Sequence, residues 1–186
     1  QFVAQQIVMG DMLTPKDALS WLGPNPDKRA VGAIKAGQAV SGVGIAASMD
    51  SWSGYPQARK RLLKAAESAG ADLVVTSGDS HNAWAFNLSE GGKPIGVEFA
   101  GQSVTSPGFE AYLGGDPKAI QASILAANPA MTWCDVSRRG YLTVSFTPEA
   151  ARADWVFMNT IRDVSTATST GQAAVVKRGA RRMTLA

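Results

Sequence analysis

The stretch from Pro56 to His81 constrains the fold more than any other part of the chain. Leu62, Leu63, Ala66 and Ala69 recur on one face of a helical period, while Arg59, Lys60, Arg61 and Lys64 fill the rest, which is the pattern of an amphipathic helix. Pro56 suits the first helical position, and Gly70 ends the helix. Leu73-Val74-Val75-Thr76 follows as a short buried strand that runs into the polar loop Ser77-Gly78-Asp79-Ser80-His81. Helix, strand and polar loop in that order are half of an α/β unit, and open α/β sheets take their ligands beyond the carboxyl ends of their strands. The fold class is therefore α/β, and residues 77–81 are the first place to look for chemistry.

The remaining segments fit around that unit. Phe2 to Met9 is mostly apolar and reads as a strand. Thr14 to Ala47 is rich in Gly, Pro and Ala, holds the turn Gly23-Pro24-Asn25-Pro26, and sustains no pattern, so it reads as a mobile connection or lid. Its Gly42-Val43-Gly44 is an incomplete dinucleotide fingerprint that follows no clear strand. Ala83–Leu88 and Ile95–Val104 flank Glu90-Gly91-Gly92-Lys93, a glycine-containing spacing that predicts a hairpin. Asp116-Pro117 caps a helix reaching about Ala127, where Asn128-Pro129 ends it. Met131–Val136, Tyr141–Phe146 and Trp155–Asn159 read as an antiparallel meander.

Composition excludes several classes. With 186 residues, 45% of them apolar and 18% charged, the chain can bury a core of its own and is not disordered. The single Cys134 rules out an intrachain disulfide, a four-thiolate zinc site and a CxxC redox pair. No run of eighteen apolar residues predicts a transmembrane segment. The net charge of +3 includes a C-terminal cluster, Lys177, Arg178, Arg181 and Arg182, which is too short and too poor in aromatics for a nucleic-acid surface. The opening Gln1-Phe2-Val3 has neither a methionine nor a leader pattern and reads as a cut or processed end.

Gly78-Asp79-Ser80-His81 is the densest chemical cluster. Ser80 as an acyl-transfer nucleophile needs a separate general base, and His81, its neighbour, is the only histidine; no usual triad can be assembled. Asp79 and His81 as metal ligands is the second reading: a carboxylate oxygen and an imidazole nitrogen two residues apart can converge on one or two cations, a donor set that suits iron, manganese or zinc. A simple Asp79–His81 hydrogen bond that orders the loop is the bland alternative. Trp84, Trp133 and Trp155 read as core or inter-sheet packing, whereas Trp52 and Tyr55, on a loop before a helix, are candidates for lining a site mouth. Arg138-Arg139 reads as an exposed turn, with attraction of a phosphate as the alternative.

The order of motifs carries a resemblance. Trp52-Ser53-Gly54-Tyr55-Pro56 before the helix, Gly78-Asp79-Ser80-His81-Asn82-Ala83-Trp84 after the strand, Val97-Glu98-Phe99, Thr105-Ser106-Pro107-Gly108, Asn128-Pro129, Arg138-Arg139-Gly140-Tyr141 and Asp154-Trp155 resemble, in sequence, the C-terminal half of the PhoD-like metallophosphoesterases, the alkaline phosphatase D family. The Gly-Asp-x-His-x-x-Trp and Thr-Ser-Pro-Gly segments are its specific parts. The likeness extends from about Val3 to Thr160, which sets a main unit over 1–160 and a C-terminal tail with the basic cluster over 161–186.

The resemblance implies part of a two-sheet α/β/β/α sandwich with its N-terminal half absent, this chain supplying most of one sheet. It also implies a secreted or periplasmic phosphomonoesterase and phosphodiesterase with a binuclear or multinuclear metal centre of iron and calcium. Asp79 and His81 match the last metal-binding motif, with His81 either a ligand or a contact to the phosphoryl group. Asn82, Trp52 and Tyr55 are then candidate substrate contacts. Departures from the family pattern are Ser53, where an Asp is usual, and Ala130, where a His is frequent. Such a centre needs roughly six to eight donor groups, so the chain is expected to be inert without the missing N-terminal half of the same enzyme. The competing expectation is a non-catalytic fragment or degenerate relative that binds phosphate or a partner.

Overall fold

A computed structural model describes residues 1–46, 48 and 50–186. The elements run β1 Phe2–Ala4, α1 Lys28–Ser41, α2 Pro56–Ser68, β2 Leu73–Ser77, β3 Ala83–Glu90, β4 Lys93–Ala100, α3 Pro117–Ala127, β5 Met131–Asp135, β6 Gly140–Phe146, β7 Ala150–Met158, β8 Thr168–Lys177 and β9 Thr184–Leu185. They build two sheets, one ordered β1-β2-β4-β3-β5 and one ordered β6-β7-β8-β9. In the first, β1, β2 and β4 are parallel, and β3 is antiparallel to β4 and β5. The second is antiparallel throughout.

Alternation along the strands of the first sheet sorts its side chains into two cores. Leu73, Val75, Trp84, Phe86 and Leu88 face Leu63 and Ala66 of α2 and Ile120 and Ile124 of α3. Val74, Ala83, Ala85, Val97 and Phe99 face Ala153, Trp155 and Phe157 of β7 and Ala174 and Val176 of β8. The layers are therefore helices, sheet and sheet. Trp155 locks the inter-sheet core: its indole N–H donates to the Ala100 carbonyl at 2.9 Å, and its ring meets those of Phe99 and Trp133. Cys134 is buried, and burial together with the neighbouring Asp135 pushes its thiol up to about 12. No helix is long and apolar enough to cross a membrane among the described residues.

The helices begin and end where side-chain chemistry directs. Pro56 opens α2, and Gly70 follows it with φ +63°. The Asp116 carboxylate accepts from the backbone N–H groups of Lys118 and Ala119 at the start of α3. The β3–β4 hairpin turns through Gly91 and Gly92, both at positive φ.

Several expectations are corrected. The strand read over Phe2–Met9 stops at Ala4, because the chain then leaves the sheet to meet the carboxyl ends of its neighbours. The connection read over Thr14–Ala47 contains α1, capped by Asp27, whose carboxylate accepts from Arg29 N–H at 2.6 Å; its last residue, Ala47, lies outside the described residues. Gly42-Val43-Gly44 follows this helix rather than opening one, in keeping with its reading as an incomplete fingerprint. The three-strand meander is divided: β5 pairs with β3 in the first sheet, whereas β6 and β7 begin the second. The chain thus supplies both sheets, and residues 168–177 of the stretch read as a tail form β8, paired with β7 along its length.

Candidate functional site

The carboxyl ends of β1, β2 and β4 lie side by side and are stitched together just beyond the sheet. Gln5 N–H donates to Thr76 O at 3.0 Å, Gly78 N–H to Gln6 O at 2.9 Å and Gly101 N–H to Ser77 O at 2.8 Å. Beneath them sits Glu98, fully buried on β4. One of its oxygens accepts from Met9 N–H and from the Ser77 hydroxyl, the other from Gly10 N–H, each at 2.7 Å. Burial raises the carboxyl pKa above the usual 4.5, against the pull of those hydrogen bonds and of the Arg59 charge. Arg59 in turn donates from Nε to Met9 O at 2.8 Å, so the peptide at Met9–Gly10 is gripped from both sides.

The loop joining β2 to β3 carries the sequence motif, and two of its non-glycine residues are left-handed: Asp79 at φ +60° and His81 at φ +59°. Such conformations are uncommon outside glycine and cluster at functional sites. Ser80 is occupied structurally, because its Oγ accepts from the Trp84 indole N–H at 2.7 Å and lies 3.4 Å from Asn82 O. No base faces it in these bonds, which leaves the nucleophile reading without support. Asn82 is fully buried; its Nδ2 donates to Ser80 O at 2.7 Å, and its Oδ1 accepts from Phe109 N–H at 3.2 Å. With both ends of its amide engaged and no exposed surface, Asn82 is not placed to touch a substrate directly.

His81 is not bonded to Asp79, the loop-ordering alternative to metal ligation. Its Nδ1 lies 2.8 Å from Pro107 O. A carbonyl can only accept, so Nδ1 carries the proton. In the neutral ring Nε2 then presents its lone pair, the tautomer found when a histidine ligates a metal through one nitrogen and donates to a carbonyl from the other. Asp79 lies exposed and takes part in no ion pair among the described residues. The donor types at these two positions fit a metal, but no group of three or more His, Cys, Asp or Glu side chains converges among the described residues.

Two residues to which sequence reasoning gave no role in the site complete the surroundings. Arg139 is buried: Nη1 donates to His81 O at 2.5 Å and to Arg138 O at 3.2 Å, and Nη2 pairs with Glu110. The exposed turn read over both arginines applies only to Arg138, which pairs with Asp135 and lies 3.8 Å above the Phe157 ring. Gly108 is the second. A Cβ there would stand 2.6 Å from Asn82 Oδ1 and 2.7 Å from Arg139 Nη2, so the Thr-Ser-Pro-Gly segment ends in glycine for want of space.

Trp52 is half-buried, with its indole N–H bonded to the Gln5 side chain and its backbone N–H donating to Val8 O at 3.3 Å. It packs against the same β1 loop that receives Gly78. Tyr55 is exposed. Ser53 donates to Asp11 at 2.7 Å, and Arg59 pairs with the same carboxylate at 3.4 Å. A cleft of about 620 Å³ opens between α1 and α3, lined by Met12, Trp21, Ile34, Phe109 and Leu113; Asp79 and His81 do not line it.

The parallel strands end in a Gly-Asp-x-His loop whose histidine is bonded to the carbonyl of Pro107 in the Thr-Ser-Pro-Gly segment. The PhoD-like phosphatase profile matches residues 1–155, and the chain belongs to that family. It is 36% identical over 129 residues to alkaline phosphatase D of Bacillus subtilis (strain 168), covering 66% of this chain and 21% of that protein. A solved structure of PhoD superposes with a TM-score of 0.70 at 25% identity, over 99% of this chain and 31% of that one. The chain thus spans about a fifth to a third of the length of the relatives it matches.

Proposed function

We propose that this chain is the C-terminal part of a metal-dependent phosphoesterase of the PhoD type, which hydrolyses phosphate mono- and diesters, and that Asp79 and His81 are metal ligands in it. The observation that carries the reading is the Nδ1–H bond from His81 to Pro107 O, which leaves Nε2 free on a loop at the carboxyl ends of parallel strands. When bound, a metal centre of iron and calcium would supply polarisation of the phosphoryl oxygens and a water acidified toward neutrality. His81 contributes a lone pair of fixed direction, and Asp79 contributes negative charge. Asn82 holds the loop from beneath. Exposed Tyr55 lines the mouth, with Trp52 fastening the β1 loop below it. The remaining donors belong to sequence N-terminal to Gln1, and the whole enzyme is secreted or periplasmic.

The test is metal analysis combined with turnover of bis-p-nitrophenyl phosphate by the longer polypeptide that carries this chain, by its Asp79→Ala and His81→Asn variants, and by the 186-residue chain alone. Asparagine is chosen at position 81 because it tolerates the left-handed backbone. Both variants should stay folded, lose most turnover and bind less metal, while the chain alone is inert. Full turnover by the double variant would remove Asp79 and His81 from the site, and an inert longer polypeptide would identify a non-catalytic relative.

A further inference from the structure

We infer that Arg139 is the positioning residue of this site: its buried guanidinium holds the His81 backbone in the left-handed conformation and thereby keeps the imidazole Nδ1–H on Pro107. Three observations converge on it. First, Nη1 reaches the His81 carbonyl at 2.5 Å and the Arg138 carbonyl at 3.2 Å, while Nη2 faces the Glu110 carboxylate. Second, the Arg139 residue is only 5% exposed, so it is not available to clamp a phosphate from solvent, and a charge buried so deeply must be paired. Third, the space it fills exists because Gly108 has no side chain; a Cβ there would lie 2.7 Å from Nη2.

The arrangement works as a brace between two loops. His81 belongs to the β2–β3 loop, whereas Pro107, Gly108, Phe109 and Glu110 belong to the segment between β4 and α3. Arg139 ties one by its carbonyl and the other by its carboxylate, and the bonds His81–Pro107 and Asn82–Phe109 close the frame. A planar fork is required, because one side chain must donate in two directions at fixed angles; a lysine ammonium is a point charge on a flexible stem and does not reproduce that geometry. Left-handed φ at a histidine carries backbone strain, and it persists where surrounding bonds over-determine it, as the bond to the His81 carbonyl does here.

The inference rests on the proposed role of His81 for its functional meaning, but its test does not. His81 is the only histidine of the 186 residues, so an imidazole nitrogen–proton correlation spectrum of the protein freed of metal by a chelator reads it directly; in a longer polypeptide treated in the same way the His81→Asn spectrum identifies its signal. At a pH where the ring is neutral, the unmodified protein should show the Nδ1–H form alone. Arg139→Met should convert this to a mixture of both tautomers, with the indole signals of Trp133 and Trp155 unchanged. Arg139→Lys, which keeps a cation for Glu110, should leave the mixture in place.

If Arg139→Met fails to fold, the double variant Arg139→Met with Glu110→Leu removes both charges together, leaving no carboxylate without its cation, and should again show mixed tautomers. A single Nδ1–H form in any folded variant lacking Arg139, or its full recovery with lysine, would overturn the inference. The tautomer ratio is read without reference to turnover, so failure of the metal-site assignment and failure of the brace are distinguished.

Discussion

The two sheets solve the same burial problem in opposite ways. The first has helices on one side and a sheet on the other, and its central strands run almost continuously buried: Leu73, Val74 and Val75 in succession, and Ile95 through Ala100. The second alternates, with Ala151, Ala153, Trp155 and Phe157 turned inward while Arg152 and Thr143 face outward and exposed. Doubly covered parallel strands leave only their ends accessible, and that is where the motif residues gather. The antiparallel sheet keeps a wet face and contributes to the site indirectly, through Arg139 just before β6. Continuous burial is concentrated in one sheet, and the motif residues lie in the loops at its rim.

The difference can be broken first at the seam. Trp155→Ala removes the largest inward side chain of the second sheet and should cost about 3–5 kcal/mol in urea unfolding, as much as a core truncation in the first. A much smaller loss would mean the sheets are only loosely apposed. Gly108→Ala, at the rim of the first sheet, should cost about 1–3 kcal/mol by overpacking, with the His81 ring signal displaced; an unperturbed variant would show the crowding around Gly108 to be slack.

Glu98 sharpens the contrast through pH. Its raised carboxyl pKa favours the neutral form in the fold, so its contribution is fully present below 4.5 and is lost as pH rises through the raised value. Relative to Glu98→Gln, the unmodified protein should therefore lose stability across that window, as followed by denaturation midpoints; parallel profiles would contradict the shift. Thr143→Ala, on the wet face of the second sheet, should change stability by no more than about 0.5 kcal/mol. A larger loss would show that face to be covered in solution.

Legibility in the sequence follows the same division. The helix–strand–loop unit from Pro56 to His81 is readable because its hydrophobic period, its opening proline and its closing glycine all agree. The β3–β4 hairpin and α3 are readable for like reasons. Helix α1 is not, because it buries only Gly37 and so leaves no apolar stripe; Pro26-Asp27 is the one signal of its start. β8 is hidden by Thr, Ser and Gly at its exposed beginning, although Ala173, Ala174 and Val176 carry the inward alternation. At the site, Asp79 and His81 stand out by residue type. Arg139 does not, and Gly108 stands out only as the end of the Thr-Ser-Pro-Gly motif; their roles depend on neighbours roughly thirty to sixty positions away in the chain, which local spacing cannot reveal.

Cys134 has a consequence for where this fold can be made. Its thiol sits between β5 and α3, with a proton affinity that leaves almost no thiolate near neutrality, and the chain has no second cysteine to pair with. Assembly of this segment therefore needs no oxidant, and burial shields the thiol once the fold is made. The same sandwich can form on either side of a redox boundary, and export of such a polypeptide would make no demand on disulfide-forming machinery for this segment.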